Sequence, residues 1–301
     1  MIWIRRLGLG LGVLLGIAVI GVALLYAMGV RNSSRTWDIP VVAVAPVPAD
    51  SARLARGRHL ADAIAKCTDC HGPDLAGGLV ADAGPLGVVW APNITRGGVG
   101  SIQAGDDAAF VRAVRHGVSA EGRPLAIMPS SNYAELTEED LLAILAYTRS
   151  LPASAKRPPV TRLKPLGMIL YAAGRLPIFD VDRIDHRLTP VARIEPDTTA
   201  TYGGYLAVVG GCTGCHGPSL SGGPIPGGPP DWRPAANITP TAIGKWTFRD
   251  FDVALREGKR PDGSPVDTLM PWKKTRLMDG MEMRALWAYV RGVPGKEYGG
   301  R

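Results

Sequence analysis

The run Cys67-Thr68-Asp69-Cys70-His71 returns as Cys212-Thr213-Gly214-Cys215-His216, and the two runs use all 4 cysteines of the chain. Cys-x-x-Cys-His is the pattern of covalent c-type haem attachment, with two thioether bonds from the cysteines and an axial bond from the histidine to iron. The two intervening residues let both sulfurs reach the vinyl positions on one edge of a porphyrin, while the adjacent imidazole turns under the ring. A redox dithiol needs only one such run, and a zinc site needs further cysteines converging on one point. Two copies that exhaust the cysteine supply predict two haem c groups instead. Cys67, Cys70, Cys212 and Cys215 are the attachment residues, and His71 and His216 the proximal iron ligands.

The chain of 301 residues is long enough for two small domains, with one run in each half. Gly (38) and Pro (26) are abundant and aromatics scarce, which suits helical domains with long irregular loops built around a large prosthetic group. Haem is attached on the outer side of the bacterial inner membrane, so the cysteines imply export. Arg5 and Arg6 precede an apolar run from Leu7 to Val30, which as a helix would measure about 36 Å against a hydrocarbon core of about 30 Å. A cleaved signal peptide has a shorter apolar region, of about 7 to 15 residues, and a small-residue cleavage site. The expectation is therefore a single-pass inner-membrane anchor over residues 1–31, with the haem domains in the periplasm. Residues 32–49, with Ile39-Pro40 and Ala45-Pro46-Val47-Pro48, read as a semi-rigid tether.

The two halves repeat each other well beyond the cysteines. Gly57-Arg58-His59-Leu60 before the first run matches Gly203-Gly204-Tyr205-Leu206 before the second, with one residue fewer in the second approach. His71-Gly72-Pro73 pairs with His216-Gly217-Pro218, Asn93-Ile94-Thr95 with Asn237-Ile238-Thr239, and Met128-Pro129 with Met270-Pro271. Closing helices contain Ala146-Tyr147 and Ala288-Tyr289 and stop before Pro152 and Pro294. The units span residues 50–152 and 198–301, joined by a Pro-rich, basic connector over 153–197. Within the connector, Leu166 to Ala173 is apolar but too short to span a bilayer. It is expected to pack across both domains as a belt, or else to lie on a membrane surface.

This order of parts resembles class I cytochromes c. The resemblance implies a mainly α fold, an N-terminal transmembrane helix followed by two tandem cytochrome c domains. It also implies that Gly57 packs against Tyr147, that Gly203 (or Gly204) packs against Tyr289, and that Met128 and Met270 are the distal iron ligands. The methionines also stand on physical grounds. His and Met ligation suits electron-transfer iron and raises its potential, and a following proline stiffens the loop that holds a weakly binding thioether. Met278, Met281 and Met283 are rivals in the second unit. In the first, His59 and His116 are formal alternatives whose repeat counterparts are Tyr205 and Glu257, so both are expected at the surface.

The connector is similar to that of cytochrome subunits of membrane-bound quinoprotein and flavoprotein dehydrogenases, which usually carry three haem runs and attach to the membrane at the other end. An anchor followed by two haem domains also resembles dihaem subunits of some terminal oxidases. The implied function is a relay that passes single electrons between redox proteins and catalyses no bond chemistry, so no catalytic residue is assigned. The competing class is a dihaem peroxidase, which needs one haem with an open sixth position; two matching Met-Pro pairs argue for two closed ones. The net charge of +7 is no nucleic-acid signal, since Arg5, Arg6, Arg31 and Arg35 flank the apolar run. Residues 37–151 carry 9 basic and 13 acidic side chains, a net of −4, whereas residues 197–301 carry 13 and 10, a net of +3. Lys273, Lys274 and Arg276 follow Met270 closely and are expected to steer an acidic partner to the second domain.

Overall fold

The computed structural model describes residues 2–40, 47–97, 106–229 and 231–300; residues 41–46 of the expected tether lie outside them. Helix α1 (Ile2–Ser33) carries the apolar run, and none of its most hydrophobic stretch is buried in the protein.

In the first unit, Asp50 caps α2 (Ser51–His59) by accepting a hydrogen bond from the Arg53 backbone N–H at 2.9 Å. The helix continues into a π turn over Leu60–Ile64, closed by Ala65 N–H donating to Leu60 O at 2.8 Å. After α3 (Cys67–His71) come a hairpin of β1 (Gly78–Asp82) and β2 (Gly87–Ala91), then α4 (Asp107–His116), α5 (Ser130–Tyr133) and α6 (Glu138–Ser150). In the connector, β3 (Arg162–Leu163) adds to β2 in the sheet order β1-β2-β3, and α7 (Pro165–Ala172) follows. The second unit repeats the helices as α8 (Ala200–Val209), α9 (Cys212–His216), α10 (Pro240–Ile243), α11 (Phe248–Glu257), α12 (Trp272–Thr275) and α13 (Gly280–Gly292). The architecture is mainly helical, as the resemblance to class I cytochromes c implies.

Each unit is built on one helix crossing, α2 with α6 and α8 with α13. A Cβ on Gly57 would collide with the Ala143 carbonyl, and one on Gly203 would collide with the Ala285 carbonyl. Tyr147 Cβ and Tyr289 Cβ stand 2.8 and 2.9 Å from those same hypothetical atoms. Only glycine permits helix axes this close. Gly204 meets only the edge of the Tyr289 ring, so Gly203 is the crossing residue. The π turn explains why the first approach can be one residue longer: the extra residue is absorbed within the helix, and Gly57 and Cys67 keep their relative places.

The units pack on each other through one continuous apolar cluster, in which Leu60, Ile64, Leu141 and Leu145 join Tyr202, Leu206 and Leu286. Around it runs a polar network with approximate two-fold symmetry. Asp140 and Glu282, each 12 positions after its Met-Pro methionine, are third-position residues of α6 and α13. Glu282 receives His59 Nε2 at 2.8 Å from the opposite unit, and Asp140 receives the Tyr205 hydroxyl at 2.7 Å, the repeat counterpart of His59. Arg56 donates twice to Asp140, at 2.9 and 2.9 Å, and reaches Glu282 at 3.4 Å and Tyr202 at 3.2 Å. The relation extends to the loops. Asn132 donates to Val208 O at 2.7 Å, and Lys274, its counterpart, donates to Thr68 Oγ1 at 2.7 Å.

The hydrogen bond to Glu282 raises the His59 pKa against the opposing effect of burial, and Asp140 raises that of Arg56 despite burial. His59 is thus an interface residue rather than the surface residue expected from sequence. His116 is half-buried and faces His186, with their Nδ1 atoms 3.1 Å apart.

The connector is hydrogen-bonded along its length to the first unit and also touches the second, where Pro177 lies against Gly227. Asn93 Nδ2 donates to Ser154 O and Lys156 O, Ile127 N–H to Ile178 O, Ser131 Oγ to Asp180, and Glu138 N–H to Val191 O. Its apolar segment forms α7, which packs on the C-terminal end of α1, where the Met168 carbonyl lies against Gly29, and on the hairpin turn at Leu86. The belt expectation fails because α1 supplies the nearer apolar surface.

Candidate functional site

The backbone around each Cys-x-x-Cys-His run is the same in both units. The residue before the first cysteine is left-handed, Lys66 with φ +53° and Gly211 with φ +77°. Each run then forms a single helical turn that ends in a positive-φ glycine, Gly72 and Gly217. His71 Nδ1 lies 2.8 Å from Pro92 O, and His216 Nδ1 lies 2.7 Å from Ala236 O. A carbonyl only accepts, so Nδ1 carries the proton in both rings and the lone pair belongs to Nε2. This orientation suits a histidine whose Nε2 is to bind a metal.

The accepting carbonyls are themselves fixed by the residues that follow them, a role the sequence repeat alone did not disclose. Asn93 Oδ1 accepts from Thr95 N–H and Oγ1 at 3.0 and 2.7 Å, and Asn237 accepts from Thr239 at 2.9 and 2.8 Å. Ile94 N–H donates to Leu75 O and Ile238 N–H to Leu220 O, both at 3.0 Å. Each Asn-Ile-Thr run therefore fastens the loop that aims the histidine.

In the second unit a cleft brings Cys212, Cys215, His216 and Met270 together. Its walls are apolar, among them Leu220, Ile238, Trp246, Phe251 and Leu286, and Lys66, Arg233 and Arg260 also line it. A flat apolar ring with carboxylate substituents, two thioether sites and a metal centre matches this donor set. Burial raises the Cys212 pKa and pushes the Cys67 thiol up to about 12. Such thiols are poor thiolates, which argues against a redox dithiol. Among the described residues no group of three or more His, Cys, Asp or Glu side chains could hold a bare metal ion.

Met128 and Met270 are both half-buried and pack on the apolar cluster, Met128 together with Cys67. Pro129 (φ −80°, ψ 57°) and Pro271 (φ −78°, ψ 48°) each centre a tight turn in which the methionine carbonyl accepts from the residue after the proline, at 2.8 and 2.7 Å. Of the rivals, Met278 also lines the cleft, but its repeat counterpart is the buried Leu136; Met281 and Met283 do not line it. Lys274 donates to Thr68 and stands 3.4 Å from Asp69 in the first run, so it links the domains, while Lys273 and Arg276 are exposed.

Residues 52–147 match the family cytochrome C oxidase, cbb3-type, subunit III, and residues 202–294 match the family cytochrome c. The chain belongs to the cytochrome c family. It carries two haem c groups, one on Cys67 and Cys70 and one on Cys212 and Cys215. Among curated proteins, this cytochrome is 29% identical over 286 residues to the alcohol dehydrogenase (quinone) cytochrome c subunit of Gluconacetobacter polyoxogenes, covering 84% of this chain and 58% of the relative. It is 30% identical over 298 residues to a nicotinate dehydrogenase chain of Pseudomonas putida, covering 90% of this chain and 24% of the relative. Over 107 residues it is 36% identical to the gluconate 2-dehydrogenase cytochrome c subunit of Pantoea cypripedii, covering 32% of this chain and 24% of the relative. The chain thus spans a little over half of the alcohol dehydrogenase subunit, and less of the other two. When bound, each haem supplies an iron that cycles between ferric and ferrous states and so carries one electron.

Proposed function

We propose that this dihaem cytochrome is the electron-carrying subunit of a membrane-bound dehydrogenase, anchored by α1 with both haem domains in the periplasm. What carries this reading is that the likeness to the alcohol dehydrogenase subunit runs over 84% of the chain, connector included, rather than over one haem domain. Within it, His71 and His216 serve as proximal ligands through Nε2, and Met128 and Met270 as distal ligands. The tight turns at Pro129 and Pro271 hold the thioethers in place. The first domain is the membrane-side one. Trp37 N–H donates to Gly122 O at 2.8 Å and Arg112 Nε to Ile39 O at 3.1 Å, so the chain leaving α1 is fastened to that domain within a few residues.

The test is purification of the detergent-solubilised native complex. The expected outcome is a dehydrogenase flavoprotein or quinoprotein co-eluting with the cytochrome and reducing both haems when its substrate is added. Recovery of the cytochrome alone, or steady turnover of peroxide by it, would overturn the reading. For the ligands, Met128→His and Met270→His should each lower the midpoint potential of the haem in their own domain only, because a nitrogen donor favours ferric iron relative to a thioether.

A further inference from the structure

One lysine breaks the two-fold relation between the domains. Lys66 precedes Cys67 in the first domain, yet its side chain lines the cleft of the second, alongside Cys212, Cys215 and Met270. Its Nζ donates to Gly210 O at 2.8 Å and to Ile64 O at 3.0 Å. The repeat counterpart, Gly211, has no side chain to send back.

The backbone at this position makes the lysine costly. Both residues are left-handed, a conformation that disfavours a Cβ by roughly 1–2 kcal/mol. The second domain meets that demand with glycine, whereas the first places a long cationic side chain there. A strained residue retained where its equivalent is glycine points to its side chain as the reason.

We propose that Lys66 is a positioning residue of the second haem's pocket, supplied by the first domain, which raises the second haem's potential and joins the two attachment runs. An ammonium group beside a haem favours the reduced iron, which carries one positive charge fewer, and partial burial limits the screening of that charge. The same side chain makes a connection in which covalent bonds from Cys67 through Lys66, one hydrogen bond, and the backbone from Gly210 link the first run to Cys212. The transfer this serves is one electron leaving the first iron, which is oxidised, and arriving at the second, which is reduced. A more positive second haem favours that direction.

The inference rests on the reading of Met270 as ligand of the second haem, and the test separates the two. Full-length holoprotein in detergent is titrated spectroelectrochemically as wild type, Met270→His, Lys66→Gln, Lys66→Met and Lys66→Arg. Met270→His identifies the second haem's midpoint; if it moves neither midpoint, the ligand reading fails. Lys66→Gln and Lys66→Met should then lower that same midpoint, shifting the electron equilibrium between the haems about ten-fold, or about 59 mV for one electron. The first midpoint should move less, and Lys66→Arg should restore the wild-type value. If Lys66→Met does not accumulate with both haems, Lys66→Gln, which keeps a donor for Gly210 O, decides. A second midpoint unchanged in Lys66→Gln, or a shift shared equally by both haems, would overturn the proposal.

Discussion

The two haem domains share one construction and differ in what surrounds it. In the first, the segment before the Asn-Ile-Thr run forms the β1–β2 hairpin, and the connector adds β3 and wraps the methionine loop. In the second, the same segment is rich in glycine and proline and makes a single bridge, Gly223 to Ala235, among the described residues. Prolines cannot donate to a ladder, which disfavours a strand pair there. The methionine loop of the second domain also lacks a wrapping segment among the described residues, and Leu269 beside Met270 is exposed. The crossing helices and the haem run thus tolerate either surrounding; the differences set which face of each domain meets the rest of the molecule.

The largest expected effect tests what is common. Gly57→Ala and Gly203→Ala each force a Cβ into a backbone carbonyl that cannot move aside, and each should destabilise its domain by about 3 kcal/mol, with loss of haem incorporation. Gly204→Ala should cost far less, since a Cβ there meets only a ring edge at 3.1 Å. Thermal denaturation of the three variants, followed at the Soret band, checks the ranking, and equal losses at Gly203 and Gly204 would break the equivalence of the crossings.

A smaller effect sharpens the difference between the domains. Asn93 is buried and donates to two connector carbonyls, whereas Asn237 is half-buried and its Nδ2 donates to Lys296 O at 2.7 Å. Asn93→Ala should cost about 2 kcal/mol and Asn237→Ala about 1 kcal/mol, measured by urea unfolding. The reverse order would mean that the connector contributes little to the first domain.

How far the sequence disclosed all this follows from what leaves a local trace. The haem runs, the Met-Pro turns and the closing helices recur at matched spacings, so their existence and order could be read directly. The one-residue offset before the second run was also visible, but not that a π turn absorbs it, because the residues Leu60 to Ile64 look like ordinary helix. The domain interface left no trace, since Arg56, Asp140 and Glu282 lie far apart in the chain and meet only through the docking of the two copies. For that reason the sequence marks neither His59 nor Lys274 as a residue that crosses between the domains.

The smallest predicted effect probes that hidden network. His59 and Tyr205 are repeat counterparts, but only His59 titrates near neutral pH. Its pKa is raised in the folded protein by the hydrogen bond to Glu282, so its contribution is fully present below the unfolded value of about 6.5. That contribution is lost as pH rises through the higher folded value. Wild-type urea stability should therefore fall across this window by on the order of 1 kcal/mol more than that of His59→Gln. Identical pH profiles for the two proteins would show that the pair contributes nothing.

The way the connector is fastened bears on how strong the contact between the domains needs to be. Glu138 N–H and Glu139 N–H donate to Val191 O and Ala192 O, and Ile194 packs on the shared apolar cluster, so the connector is held to the first domain almost to its end. Only the few residues between Ile194 and the Thr199 cap of α8 remain as a leash. A leash this short sets an effective concentration on the order of millimolar or above for the second domain at its docking surface. The contact between the domains therefore needs far less intrinsic affinity to keep the pair closed than the same surfaces on two separate chains would need.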